Sequence, residues 1–283
     1  MNKELQKKVN FGIKLIQSAS RKAASIGQVI EVCYSGGKDS DVILELTRMA
    51  NVPYRAIYKN TTIDPPYTIA HCKNNGVEIL QPKKTFAQLL QEKGAPSRFS
   101  RFCCGVLKEY KVLDYAILGV RANESAKRAK RYREPEVCRN YSKKEKVRQY
   151  YPILNWTLED EEEFIKERGI KLHPLYYVDG KLDLTQRLGC MCCPLASTKK
   201  RIAEFKKYPR MVDFYVRNIQ KRFDAAPNAK STKSFHNDAC ECLVWTLLCT
   251  SLAEWKELLQ PDLFGYRFSA REWLKEQFNY DPK

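Results

Sequence analysis

Ser35-Gly36-Gly37-Lys38-Asp39-Ser40 follows the apolar run Val29-Ile30-Glu31-Val32-Cys33-Tyr34 and precedes Val42-Ile43-Leu44-Glu45-Leu46. The order reads as strand, tight turn and helix. Two adjacent glycines let the backbone take positive φ and approach a ligand closely, while the helix start offers unpaired N–H groups and the positive end of its dipole. Such a turn binds an anion, with phosphate and sulfate the best matches. It is not a Walker A loop, which needs a glycine five residues before Gly37 and Ser or Thr directly after Lys38. Val32 and Asp39 hold those places, so ATP would have to bind in another geometry.

Working outward, Tyr54 to Tyr58 reads as a second strand that ends at Asn60-Thr61-Thr62-Ile63-Asp64-Pro65-Pro66. A helix from Thr68 to about Asn75, a short strand from Val77 to Leu80 and a helix opened by Thr85 follow. Tyr115 to Leu118 is strand-like and runs into Gly119-Val120-Arg121-Ala122-Asn123-Glu124-Ser125, with Arg128 three residues on. Strands alternating with helices at this spacing predict βαβ units and a parallel sheet, whose ligands sit beyond the strand C-termini. The glycine turn, the Thr61 to Asp64 segment and Arg121 all fall at such ends. Arginine there suits bidentate phosphate binding. Further on, Thr157 reads as an N-cap with Asp160 as its capping-box partner, and Gly169 closes that helix.

Cys103 and Cys104 are adjacent, and 85 residues separate Cys104 from the C-x-x-C pair Cys190 and Cys193. Thiolates so clustered bind soft metals or iron–sulfur clusters. Neighbouring side chains converge poorly on one small ion, so the spacing favours [4Fe–4S], with a zinc site as the alternative. Cys192 is a further thiol inside the pair that could replace a ligand or carry sulfur. The eleven cysteines are an odd number. With no export signal in the sequence, a reducing cytoplasm is expected, where such thiols serve metals or redox chemistry.

A length of 283 residues and 43% hydrophobic content allow one large domain with a smaller appendage. No apolar run approaches a membrane span, and Lys14 and Arg21 interrupt the N-terminal candidate, so neither a membrane partner nor a secretory signal is expected. Leu5, Val9, Ile13 and Ile16 recur at helical spacing instead and predict an amphipathic helix over residues 3 to about 25. The formal charge of +17 predicts attraction to polyanions. Residues 127–148 carry ten Lys or Arg against three Glu, with Tyr132 and Tyr141 interleaved. Two readings of this stretch stand level, a solvated insertion and a nucleic-acid contact.

Together these motifs resemble the phosphoadenosine phosphosulfate (PAPS) reductase family of the PP-loop ATP-pyrophosphatase superfamily, over roughly residues 28 to 200 and in matching order. The glycine turn resembles the SGGxDS PP-loop; Gly119, Arg121, Glu124, Ser125 and Arg128 resemble the GxRxxES element. His173-Pro174-Leu175-Tyr176 and Arg187 to Pro194 resemble the HPLY and RxGCxxCP elements. The Pro66-Tyr67 continuation departs from the commoner Phe-Pro-Glu-Thr. The resemblance implies an adenine nucleotide alpha hydrolase-like α/β fold, a mostly parallel twisted sheet flanked by helices. It implies ATP, PAPS or adenylyl sulfate (APS) bound by Ser35, Gly36, Gly37, Lys38, Asp39, Ser40, Thr61, Asp64, Gly119, Arg121, Glu124, Ser125 and Arg128. Lys38, Asp39 and Arg121 would act in catalysis. The iron–sulfur branch, with its APS reductases and DNA-phosphorothioation sulfurtransferases, implies cluster ligands at Cys103, Cys104, Cys190 and Cys193.

The C-terminal Glu-Cys-Gly-Ile/Leu-His motif of the assimilatory reductases is missing. Its nearest analogue, Cys240-Glu241-Cys242-Leu243-Val244, opens an apolar helical stretch, where a buried thiol would be a poor nucleophile. Nucleotide-dependent sulfur activation or transfer is therefore expected ahead of sulfite-forming reduction, and ahead of a non-enzymatic, nucleic-acid-binding iron–sulfur subunit. A sulfur donor or reductant protein would be a further partner. The expected organisation is an N-terminal helix over 1–27, a catalytic domain over 28–204 and a helical C-terminal region over 205–283.

Overall fold

The computed structural model describes residues 1–140 and 145–281. In chain order its elements are α1 (Lys3–Ala24), β1 (Ile30–Tyr34), α2 (Lys38–Ala50), β2 (Tyr54–Lys59), α3 (Thr68–Asn74), β3 (Glu78–Leu80), α4 (Phe86–Lys93) and α5 (Phe102–Leu107). Next come β4 (Tyr115–Leu118), α6 (Ala126–Arg131), β5 (Glu136–Asn140), β6 (Lys146–Tyr150), α7 (Leu158–Arg168), and the two-residue strands β7 (Tyr177–Val178) and β8 (Lys181–Leu182). The remainder is helical: α8 (Thr198–Lys207), α9 (Arg210–Ala225), α10 (Lys230–Lys233), α11 (Ala239–Leu248), α12 (Leu252–Leu258) and α13 (Ala270–Phe278).

The chain divides into two compact units. The first takes Met1–Asn60, Asp64–Gln81 and Glu109–Gly189; the second takes Thr61–Ile63, Pro82–Lys108 and Cys190–Lys283.

The first unit is built on a six-stranded sheet of order β3-β2-β1-β4-β6-β5. All neighbours pair in parallel except β5 with β6. Central β1 reads Ile-Glu-Val-Cys-Tyr and is buried along nearly its whole length, as a strand covered on both faces must be. The predicted N-terminal helix forms as α1, whose Leu5, Val9, Ile16 and Ala19 stripe enters the same core as Ile30, Val32 and Leu46. The Thr157–Asp160 capping box is present on α7, and Gly169 closes that helix in the left-handed region at φ 60°. Sequence and sheet thus agree on an α/β fold with a mostly parallel sheet.

The described part of residues 127–148 is largely exposed, as the solvated reading expects, but it is not an insertion outside the sheet. Much of the stretch is α6, β5 and β6, and β6 pairs in parallel with β4 through Tyr115–Arg148 and Ile117–Tyr150. Val147 and Gln149 are buried because the strand alternates, with Lys146 and Arg148 outward, and Tyr150 at the strand end is buried as well. Tyr141, Lys143 and Lys144 lie outside the described residues.

The second unit is helical, with α4 and α9 in broad contact and an aromatic core of Phe86, Phe205, Tyr215, Phe223 and Trp255. Thr85 caps α4 in a full capping box with Gln88. No helix among the described residues is long and apolar enough to cross a membrane.

Candidate functional site

The glycine turn stands in the first unit, between the C-terminal end of central β1 and the start of α2. Gly36 takes φ +78°, a region that favours glycine, and a Cβ there would come 3.0 Å from Leu188 Cδ2. Gly37 is the N-cap of α2 and has no side chain to satisfy the helix amides. Ser40 turns its hydroxyl back to donate to the Gly37 carbonyl at 2.6 Å, and the Ser40 and Asp41 amides donate to the same oxygen. The Lys38 amide donates to the hydroxyl of Tyr176 at 3.1 Å. That tyrosine ends the His173-Pro174-Leu175-Tyr176 element, so a motif 138 residues away closes onto the loop. Behind the loop, Asp41 accepts from the Tyr34 hydroxyl and lies 3.0 Å from His71 Nε2, which braces the first turn of α2 against β1 and α3.

Two cations converge here, and both are buried. Lys38 is 3% exposed and Arg121, just past β4, is 5% exposed. Asp39 joins them, accepting from Arg121 Nε at 2.7 Å and pairing with Lys38 Nζ at 3.1 Å. Burial works to raise the Asp39 carboxyl, but Lys38 and Arg121 outweigh it and hold the group below its ordinary range. A fourth member, Glu161 on α7, was not foreseen. Its Oε2 stands 3.3 Å from Lys38 Nζ and 3.2 Å from Arg121 Nη2, and the residue is wholly buried. Its sequence signal was position: Glu161 falls three and four residues before Phe164 and Ile165, on the buried face of the helix. Gly119 is the spacer that lets β4 approach the loop. A Cβ on it would lie 2.7 Å from the Asp39 carbonyl oxygen.

The other expected residues are placed as follows. Glu124 pairs with Arg128, and Arg187 lies 3.8 Å from Glu124. Ser125 caps α6 by accepting from the Arg128 amide. Asp64 accepts from the Tyr58 hydroxyl. Thr61 belongs to the second unit, where its hydroxyl lies 3.7 Å from Cys190 Sγ.

In that second unit, Cys103 and Cys104 of α5 and Cys190 and Cys193 of the turn segment before α8 line one small cavity of about 30 Å³. Its other walls are apolar, among them Ile63, Phe86 and Leu107. The Cys103 thiol is pushed up first by its hydrogen bond with Cys104 and then by burial. None of the described cysteines forms a disulfide. Among the described residues no three His, Cys, Asp or Glu stand close enough to hold a metal ion as they are. The donor chemistry, four soft thiols in an apolar pocket, is nonetheless that of a thiophilic metal or cluster. Cys192 does not line this cavity. It is fully buried in the helical core at φ +55°, and its amide donates to the Glu204 carboxylate at 2.7 Å.

Cys240 and Cys242 lie inside α11, 1% and 4% exposed, and burial pushes each thiol up to about 12. The poor nucleophilicity expected of them follows from that burial.

A glycine turn at the carboxyl edge of a parallel sheet, backed by buried Lys38 and Arg121, defines an α/β protein of the PP-loop superfamily. Residues 29–196 match the phosphoadenosine phosphosulfate reductase domain, and the chain belongs to that family, one of nucleotide-dependent sulfur activation. It is 36% identical over 152 residues to an uncharacterized 37.8 kDa protein of Escherichia phage 186, a match covering 48% of this chain and 43% of that protein. The chain thus spans less than half the length of that relative. Among solved structures it is similar to the PAPS reductase of Candida auris in its phosphate complex, at 14% identity and TM-score 0.46, over 67% of this chain and 96% of that one. It is also similar to the U34-tRNA thiolase NcsA of Methanococcus maripaludis with its [4Fe-4S] cluster, at 15% identity and TM-score 0.38, over 76% and 81% of the two chains.

Proposed function

We propose that this chain is a PP-loop enzyme that binds an adenine nucleotide through the Ser35–Ser40 turn and activates or transfers sulfur. The observation that carries the reading is the pair of buried cations, Lys38 and Arg121, at an anion-binding helix start. Asp39 and Glu161 pair with both cations and offset the cost of burying them. A nucleotide phosphate or sulfate would add to or displace that pairing, and the fixed positive groups would then stabilise charge that builds on the leaving pyrophosphate of ATP, or on the leaving nucleotide phosphate when PAPS or APS is attacked at sulfur. With ATP, a substrate oxygen attacks the α-phosphorus, pyrophosphate leaves, and the adenylate is later displaced by sulfur.

Transfer is favoured over reduction because the two thiols nearest the missing reductase motif, Cys240 and Cys242, are buried in α11. Cys103, Cys104, Cys190 and Cys193 would hold a [4Fe–4S] cluster, with zinc as the alternative. Bound there, a cluster would supply a redox-active, Lewis-acidic centre able to ligate sulfur. Thr61 would offer its hydroxyl beside Cys190. Lys127, Lys130 and Arg131 of α6 would add a basic approach for a nucleic-acid acceptor. The test is anaerobic incubation with ATP, PAPS and APS separately, with analysis for AMP, pyrophosphate, sulfite and adenosine bisphosphate. AMP and pyrophosphate with a sulfur acceptor present support transfer. Sulfite from PAPS or APS would replace it with reduction.

A further inference from the structure

Glu161 has no part in the chemistry described so far, yet it occupies the centre of the charged cluster. It is wholly buried in the first turn of α7, and neither carboxyl oxygen has a donor aligned on it in hydrogen-bond geometry. Oε2 reaches Lys38 at 3.3 Å and Arg121 at 3.2 Å by charge alone. The groups facing it can be named element by element. From α2 come Lys38 and Asp39; from the segment after β4 comes Arg121, with Glu124 behind it. On α7 itself the neighbouring Asp160 is engaged elsewhere, by Lys8 of α1 and by the Thr157 amide.

The count of charges decides what the cluster can accept. With Asp39 and Glu161 both ionised, two cations face two anions, and an incoming phosphate meets a neutral site that contains a repelling carboxylate. With Glu161 protonated, the same site carries one net positive charge. Asp39 cannot be the group that changes, because Lys38 and Arg121 hold it ionised. Burial, with the Asp39 charge added, pushes the Glu161 carboxyl up to about 8. Of the groups nearby, Arg121 is raised further, against burial, by Glu161 and Asp39, and burial pushes the Tyr176 phenol up to about 12.

We propose that Glu161 is a proton-linked counter-ion of the nucleotide loop: its ionised form neutralises Lys38 and Arg121 and competes with the anionic group of the nucleotide, and its protonated form admits that group. This rests on the nucleotide reading above and goes beyond it, by assigning a positioning residue and a pH dependence to the same site. The carboxylate stands in for the anion, keeping two long cationic side chains in place at the cost of competing with the ligand.

The test is calorimetric titration of ATP, PAPS and APS from pH 7 to pH 9.5, in buffers of different ionisation enthalpy, on wild type and Glu161→Gln. Wild-type affinity should fall by up to about tenfold per pH unit above about pH 8, with close to one proton taken up per nucleotide there. Glu161→Gln, neutral and of equal size, should bind with a flat profile and take up no such proton. Identical pH profiles for the two proteins would overturn the role of Glu161 and leave the nucleotide reading standing. Absence of binding by both proteins at every pH would remove the nucleotide reading and this inference with it. Should the variant fail to fold, buffer-independent heats for wild type at pH 8.5 to 9 would overturn the proposal on their own.

Discussion

Replacing Gly119 by Ala should damage the protein through a contact between the residue that follows β4 and the backbone at the start of α2. The added Cβ would stand 2.7 Å from the Asp39 carbonyl oxygen, 2.9 Å from its carbonyl carbon and 3.0 Å from its Cβ. Two of these are backbone atoms in the first turn of α2, so no rotamer change relieves the overlap. Either β4 or the start of α2 must shift. Overpacking of this kind costs about 1–3 kcal/mol, which for a chain of this size lowers the melting temperature by about 2–4 °C per kcal/mol. The same shift moves the Asp39 carboxylate from its 2.7 Å contact with Arg121, so ATP affinity should fall by about tenfold for each 1.4 kcal/mol lost at the site. Urea unfolding and calorimetric titration measure the two effects. Gly189→Ala is the control, since a Cβ there meets nothing within 4 Å. A Gly119→Ala protein as stable as Gly189→Ala, with wild-type ATP affinity, would refute the spacer argument.

Stability should also report Glu161. Its carboxyl is raised from 4.5 to about 8 by burial and Asp39, so between those values the unfolded chain releases a proton that the folded chain keeps, and stability falls as pH rises through the window by on the order of a few kcal/mol. His173, lowered to about 4 chiefly by burial, acts in the opposite direction below pH 6.5, so the wild-type profile should be read as its difference from Glu161→Gln; a difference constant from pH 4.5 to 8 would contradict the assignment. Protein purified without oxygen should be brown and lose iron in Cys103→Ser and Cys193→Ser, whereas stoichiometric zinc without iron would identify the other metal. Lys127→Gln with Lys130→Gln should weaken DNA or RNA binding and lower its salt dependence if α6 meets nucleic acid, and equal affinities at every salt concentration would remove it from the function.

The features set by local sequence were readable in advance. A strand, two glycines and a helix placed the loop; Thr85 and Thr157 marked helix starts, Gly169 marked a helix end, and the Leu5 to Ile16 stripe gave α1. What could not be read depended on contacts across the chain. Nothing local says that Tyr176 lends its hydroxyl to the Lys38 amide or that Glu161 is buried between two cations, because each fact needs elements far apart in sequence. The density of charge over residues 127–148 masked the alternation of β6, whose Val147 is buried between outward Lys146 and Arg148. The cysteines were legible as a set but not as an arrangement. Only the fold separates Cys192, turned into the core, from the four that share a cavity.

The antiparallel strand β5 also decides what can safely be cut from this protein. Without it, β6 would become an open sheet margin, with Val147 and Tyr150 beside a row of unpaired amides and carbonyls, the kind of template on which copies of a chain stack. β5 covers that margin with Glu136, Arg139 and Asn140, and Glu136 is fastened to Lys22 of α1 and to Arg148 and Tyr150 of β6. A deletion designed to strip the basic stretch would therefore produce a self-associating protein, and its lost activity would say nothing about nucleic acid. Charge-neutralising point changes on α6 leave the margin sealed.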